Sequence, residues 1–218
     1  MTDKAREYLN KERYSMEDLL EIMKFLRIGC PWDREQTHES IRQNFIEEVY
    51  EVCDAIDKKD PGLMCEELGD VMLQVVFHTQ MAEEEGSFTF DDAVDGICRK
   101  LVLRHPHVFG EVSADTVGEV LTNWDQIKQD SKGQKSVKDT LVDVPNALPA
   151  LMRAQKIAKR AAKGVYCLEN SYADIERDEA KRRIGEELFK LCSAAQACGL
   201  DAEEALFEYS SEFVADFE

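Results

Sequence analysis

Two short acidic motifs hold most of the chemistry available to this sequence. Glu47-Glu48-Val49-Tyr50-Glu51 is answered further along by Glu66-Glu67-Leu68-Gly69-Asp70. Glu48 and Glu51 stand three residues apart, as do Glu67 and Asp70. On a helix that spacing puts both carboxylates of a pair on one face, roughly 5–6 Å apart at their bases. Two such helices packed antiparallel would bring four carboxylates to one point. Such a cluster repels itself unless a multivalent cation sits in it. An all-oxygen ligand set suits a hard ion, Mg2+ with Mn2+ as the alternative, rather than zinc.

The competing reading is a solvated acidic face, the usual fate of carboxylates at helical spacing. The neighbouring residues weaken it. Ile41, Phe45, Val49, Val52 and Ile56 form an apolar stripe at helical period, and Glu48 falls within roughly 20° of its edge. Asp70 runs straight into Val71-Met72-Leu73-Gln74-Val75-Val76-Phe77, apolar nearly all round the wheel, which predicts a helix buried on most sides. Carboxylates leading into such a helix are costly unless paired or metal-bound. Glu47 points roughly 100° away from Glu48 and reads equally as a base beside the metal or as a surface acid.

The elements that must position these acids are helices. Strand-like alternation is nearly absent, and prolines and glycines fall mostly between periodic segments, so the fold class is all-α, an antiparallel helical bundle. Ser15, with Asp18 three residues on, caps a first helix. The Gly29-Cys30-Pro31-Trp32-Asp33 loop follows, its Trp a plug over a helix end. His38 begins the first acidic helix as a cap or surface residue. Pro61-Gly62 marks a turn short enough to make the two acidic helices antiparallel neighbours. Gly86 closes the second, and Asp91 and Asp92 open a helix that ends at Arg104-His105-Pro106. Lys100 and Arg104 share a face of that helix, either solvated or receiving a phosphate. Trp124 and Lys128 share a face of the next, with Trp124 either core or a stacking platform. Val144-Pro145 to Pro149 breaks the chain into 1–145 and 146–218. Beyond it, Arg153, Lys156, Lys159, Arg160 and Lys163 form a basic stretch, a solvated face or one that reaches toward phosphates.

The chain has 218 residues and a formal net charge of −18. A surface that acidic is repelled by nucleic-acid backbones and anionic membranes, so neither is an expected partner. No apolar leader opens the sequence and no long apolar run follows, which predicts a cytoplasmic protein. The seven cysteines lack metal-binding or CxxC spacing, and no disulfide is expected.

Six ordered motifs resemble the MazG family of nucleoside triphosphate pyrophosphohydrolases: Gly29-Cys30-Pro31-Trp32-Asp33, Glu47-Glu48-Val49-Tyr50-Glu51, Glu67-Leu68-Gly69-Asp70, Arg104-His105-Pro106-His107-Val108-Phe109, Asn123-Trp124-Asp125-Gln126-Ile127-Lys128 and Leu148-Pro149-Ala150-Leu151. Together they cover most of 15–165. The resemblance implies an all-helical catalytic domain completed by homodimerisation. It also implies Mg2+-dependent hydrolysis of nucleoside triphosphates to monophosphate and pyrophosphate, with a role in cleansing the nucleotide pool. Carried over by position, the metal ligands are Glu48, Glu51, Glu67 and Asp70, and the nucleotide contacts include Asn44, Glu47, Glu48, Glu66, Lys100, Arg104, Trp124 and Lys128. Glu47, Lys100 and Arg104 are the candidates for direct catalytic roles. Residues 146–218 resemble a basic linker helix followed by a shortened second copy of the same domain. There Arg183-Ile184-Gly185-Glu186 stands where Glu67-Leu68-Gly69-Asp70 stands in the first, with no preceding EExxE motif, so that half is expected to be catalytically dead. Two other readings are a non-catalytic Mg-nucleotide-binding regulatory protein and a di-iron carboxylate bundle. The second lacks the Glu-x-x-His motif such bundles use.

Overall fold

The computed structural model describes residues 3–164, 166–168 and 170–217, with side chains from Ala5 onward. Met1 and Thr2, at the start where no apolar leader is expected, lie outside it. The described chain is helical with no strand, and it divides into two compact units, Met1–Leu103 and Arg104–Glu218.

The first unit carries α1 (Asp3–Glu7), a 3-10 turn (Tyr8–Asn10), α2 (Met16–Gly29), α3 (Pro31–Glu35), α4 (Arg42–Lys58), α5 (Pro61–Glu84) and all but the last residue of α6 (Phe90–Arg104). Ser15 and Asp18 form the expected capping box on α2. The α4–α5 turn consists of Lys59 and Asp60, with Lys59 left-handed at φ 55°. Pro61 sits in the first turn of α5, where its missing N–H costs nothing. Asp60 Oδ1 accepts from the Gly62 and Leu63 N–H groups at 2.9 and 3.1 Å. This two-residue turn makes α4 and α5 antiparallel neighbours, and they pack along one another. Asp60→Ala removes the cap from the helix that carries Glu67 and Asp70. It should cost about 1 kcal/mol, read as a lower urea midpoint at unchanged slope.

The core of this unit is Met23, Ile41, Val76, Phe77 and Met81, flanked by Leu19, Leu20 and Leu73. It corrects the expectation that the 71–77 segment is buried on most sides. Gln74, Val76 and Phe77 are buried, but Met72 and Val75 are 42% and 37% exposed. The stripe on α4 divides likewise, Ile41 sealed in the core while Val49 and Ile56 lie open. The reason is geometric: α4 and α2 pack along α5, with Phe90 of α6 against the same cluster, and they leave Met72 and Val75 open. Trp32 is a second correction, a rim contact 6.4 Å from the Phe77 ring and 57% exposed, not a plug. His38 precedes α4, which starts at Arg42.

The second unit holds Arg104, α7 (Pro106–Phe109), α8 (Val117–Ser131), α9 (Val137–Val142), α10 (Ala150–Ala161), α11 (Arg177–Ala197) and α12 (Ala202–Asp216). Capping boxes at Thr116/Glu119 and Ser136/Asp139 start α8 and α9. Leu141, Val144, Ile157, Ala161, Val214 and Phe217 form its core, where α9, α10 and α12 meet. The break at 145/146 falls inside this unit, between buried Val144 and buried Ala150. Helix α10 turns Ala150, Arg153, Ile157 and Ala161 inward and leaves Lys156 and Lys159 outside, with Lys163 exposed just past its end.

Candidate metal and nucleotide site

Antiparallel packing of α4 on α5 brings Glu48, Glu67 and Asp70 together, one carboxylate oxygen from each lying within 4.8 Å of the others. All three are half-buried. Glu51 is exposed on the next turn of α4, and its side chain interacts with both Glu48 and Glu67. Desolvation is the first cause holding the Glu48 carboxyl above its usual range, followed by the charge of Asp70 and by Glu51. Desolvation likewise raises Glu67, with the charges of Glu51, Glu66 and Asp70 behind it. These acids therefore repel one another. The acids of α11 show the contrast: hydrogen bonds from Arg182 and Arg183 pull Glu179 down to about 2.

The remaining expected residues fall into two groups. Asn44, half-buried, stands one turn before Glu48 on α4. Glu47 and Glu66 are exposed beside the cluster, Glu47 facing the Gln43 amide at 3.5 Å. Lys100 is exposed on α6. In the second unit, Arg104 and Lys128 both approach Trp124, at 5.2 and 5.1 Å from the ring centroid. Trp124 is half-buried and so belongs to no core cluster. The buried Nε of Arg104 has no hydrogen-bond partner among the described residues.

A domain model described as the MazG nucleotide pyrophosphohydrolase domain matches residues 36–109, a span that contains both acidic motifs. The nucleoside triphosphate pyrophosphohydrolase of Escherichia coli (strain K12) is 42% identical over 93% of this chain and 85% of its own length. This chain belongs to the MazG family. A MazG protein of Thermotoga maritima, named a nucleoside triphosphate pyrophosphohydrolase/pyrophosphatase, is 39% identical over 92% of this chain and 83% of its own. The nucleoside triphosphate pyrophosphohydrolase of Mycobacterium tuberculosis is 41% identical over 67% of this chain and 44% of its own length.

Two features of this MazG chain escaped the sequence reading. His38 and His78 stack at 5.1 Å, their Nδ1 atoms 2.7 Å apart, so one ring donates and the other accepts. Burial and the neighbouring His38 hold the His78 imidazole below its usual range. No spacing signal links residues so far apart in sequence. Arg153 is the second. It leaves the basic stretch, is 4% exposed, and lies over the Phe207 ring of α12 at 4.7 Å.

Proposed function

We propose that this protein hydrolyses nucleoside triphosphates to the monophosphate and pyrophosphate with Mg2+ as cofactor, Mn2+ serving as a substitute. The observation that carries the reading is the convergence of Glu48, Glu67 and Asp70 in a chain whose relatives are named for that reaction. The donor set fits the ion. Mg2+–oxygen bonds of about 2.0–2.1 Å place opposite ligands roughly 4 Å apart, so three oxygens within 4.8 Å need only small side-chain rotations to close on it. Glu51 completes the set from the next turn of α4. When bound, the ion would neutralise phosphate oxygens and lower the pKa of a bound water.

The protein's own groups do the rest. Water attacks the α-phosphorus, the bond from that phosphorus to the bridging oxygen breaks, and pyrophosphate leaves with the electron pair. Glu47 is the candidate to take the water proton. Lys100 and Arg104 hold the phosphates that become pyrophosphate, where negative charge grows as the bond breaks. Asn44 and Glu66 contact the nucleotide beside the ligands, and Trp124 with Lys128 receives the base. Such an activity suits removal of unwanted triphosphates from a cytoplasmic pool. Residues 146–218, the linker helix and shortened second copy, have no assigned part in the reaction.

The test is pyrophosphate release from a panel of ordinary and modified triphosphates with Mg2+. Binding without release would favour the non-catalytic nucleotide-binding reading. The reading includes a homodimer, because Val49, Leu68, Met72, Ile97 and Leu101 leave an apolar surface open on α4, α5 and α6. Light scattering at micromolar concentration should give twice the monomer mass of 24.9 kDa. A stable monomer contradicts that part of the reading.

A further inference from the structure

The basic stretch acquires a shape in the second unit. With Arg153 turned into the α12 contact, Lys156, Lys159, Arg160 and Lys163 of the 150–163 segment face Lys128 of α8 across a cleft of about 230 Å³. Five cations line it against one carboxylate, Asp125, in a chain whose net charge is −18. Asp125 already pairs with Lys163 at 2.6 Å, and Asp143 with Lys132 at 2.7 Å and Arg160 at 3.9 Å. Lys128, Lys156 and Lys159 have no carboxylate within ion-pair distance among the described residues. Burial, then Arg160, Lys132 and Arg104, depress the Lys128 ammonium against the opposing charge of Asp143, as expected where like charges crowd. The rest of the lining includes Gln129, Gln134 and Thr140, of which the Thr140 hydroxyl already donates to the Val137 carbonyl at 2.7 Å.

Lys156, Lys159 and Lys163 recur at helical spacing on one side of α10 and its C-terminal extension, over about 10 Å of rise. One phosphate cannot reach all of them together with Lys128. Two or three linked phosphates can, and ammonium groups bind such oxygens as point charges.

We propose that the cleft between α8, α9 and α10 is a binding site for linked phosphates, built by Lys156, Lys159 and Lys163, separate from the acidic cluster and sharing Lys128 with the proposed nucleotide contacts. The ligand is either the tail of a nucleoside triphosphate or free pyrophosphate. It goes beyond the proposed hydrolysis, since the cleft needs no metal ion to bind an anion.

Trp124 borders the cleft and is one of only two tryptophans, so its fluorescence reports occupancy in full-length protein carrying Trp32→Phe. Titrations in EDTA at low salt with tripolyphosphate and pyrophosphate should saturate, while orthophosphate should bind at least tenfold more weakly. Lys156→Gln/Lys159→Gln should weaken pyrophosphate at least tenfold and flatten the salt dependence. Lys190→Gln on α11 should leave it unchanged, and so should Glu67→Ala. Calorimetry on the same variants provides a readout independent of the ring. If ATP binds at least as tightly as tripolyphosphate and Lys156→Gln/Lys159→Gln weakens both alike, the nucleotide tail is the ligand; if not, free pyrophosphate is. Equal binding of orthophosphate, wild-type affinity in Lys156→Gln/Lys159→Gln, or loss of binding in Glu67→Ala would each overturn the proposal. Pyrophosphate release from triphosphates by the wild type would survive all three, so the two readings fail separately.

Discussion

Glu67→Ala is expected to lower Mg2+-dependent turnover by two to three orders of magnitude, on the scale of losing one electrostatic donor at a reacting phosphate, and to make the metal-free protein more stable. The second half follows from electrostatics. The Glu67 carboxyl is held above its usual 4.5 by desolvation and by Glu51, Glu66 and Asp70. The folded state thus keeps that proton to a higher pH than the unfolded state does. Its contribution to stability falls as pH rises past about 4.5 and is fully lost above the raised value. Alanine removes this penalty. The variant should therefore melt above the wild type at pH 7–8 in EDTA, the difference shrinking as pH drops toward 4.5. Added Mg2+ should raise the wild-type melting temperature through binding to the folded state alone, and should leave the variant nearly unmoved. A variant that is less stable at pH 8 in EDTA would mean that the cluster is held by contacts other than a bound cation.

Arg104→Ala should cost about a hundredfold to a thousandfold in kcat/KM, with kcat falling as well as KM rising. The guanidinium has a buried Nε without a partner and rests 5.2 Å from the Trp124 ring, so it is braced on one side and has a donor left over. If it grips the departing pyrophosphate, its charge matters more in the transition state than in the resting complex. A rise in KM alone would mean uniform binding, and values within about twofold of wild type would make it a surface residue. Trp124→Ala is the contrast: a ring that receives a base should, when removed, mainly raise KM and reorder the preferred nucleotides. Loss of folded protein in that variant would instead make Trp124 a packing residue.

The parts of this structure legible in sequence are those set by local periodicity. The carboxylate spacing, the Ser15/Asp18 cap and the closely spaced α4–α5 turn depend on residues within a turn or two of each other. They put Glu48 on α4 and Glu67 and Asp70 on α5, the helices that pack on each other in the structure. What sequence could not show depends on distant partners. Arg153 shares helical spacing with Lys156 and Lys159, and its contacts with Phe207 on α12 and with Asn146 separate it from them. His38 and His78 meet through the approach of a pre-α4 turn to α5. The exposure of Val49 and Met72 reflects how much of each helix its neighbours cover, which an apolar stripe does not encode. The basic stretch became one side of a cleft only when α10 and α8 met and brought Lys128 opposite it.

The central claim is that water attacks the α-phosphorus of a triphosphate at the acidic cluster. Hydrolysis in 18O-labelled water, followed by phosphorus NMR of the products, tests it most directly. The account predicts one labelled oxygen on the nucleoside monophosphate, unlabelled pyrophosphate, and both products slowed a hundredfold to a thousandfold when Glu67→Ala replaces the wild type. Label in the pyrophosphate, release of orthophosphate with the nucleoside diphosphate, or undiminished turnover by Glu67→Ala would contradict it.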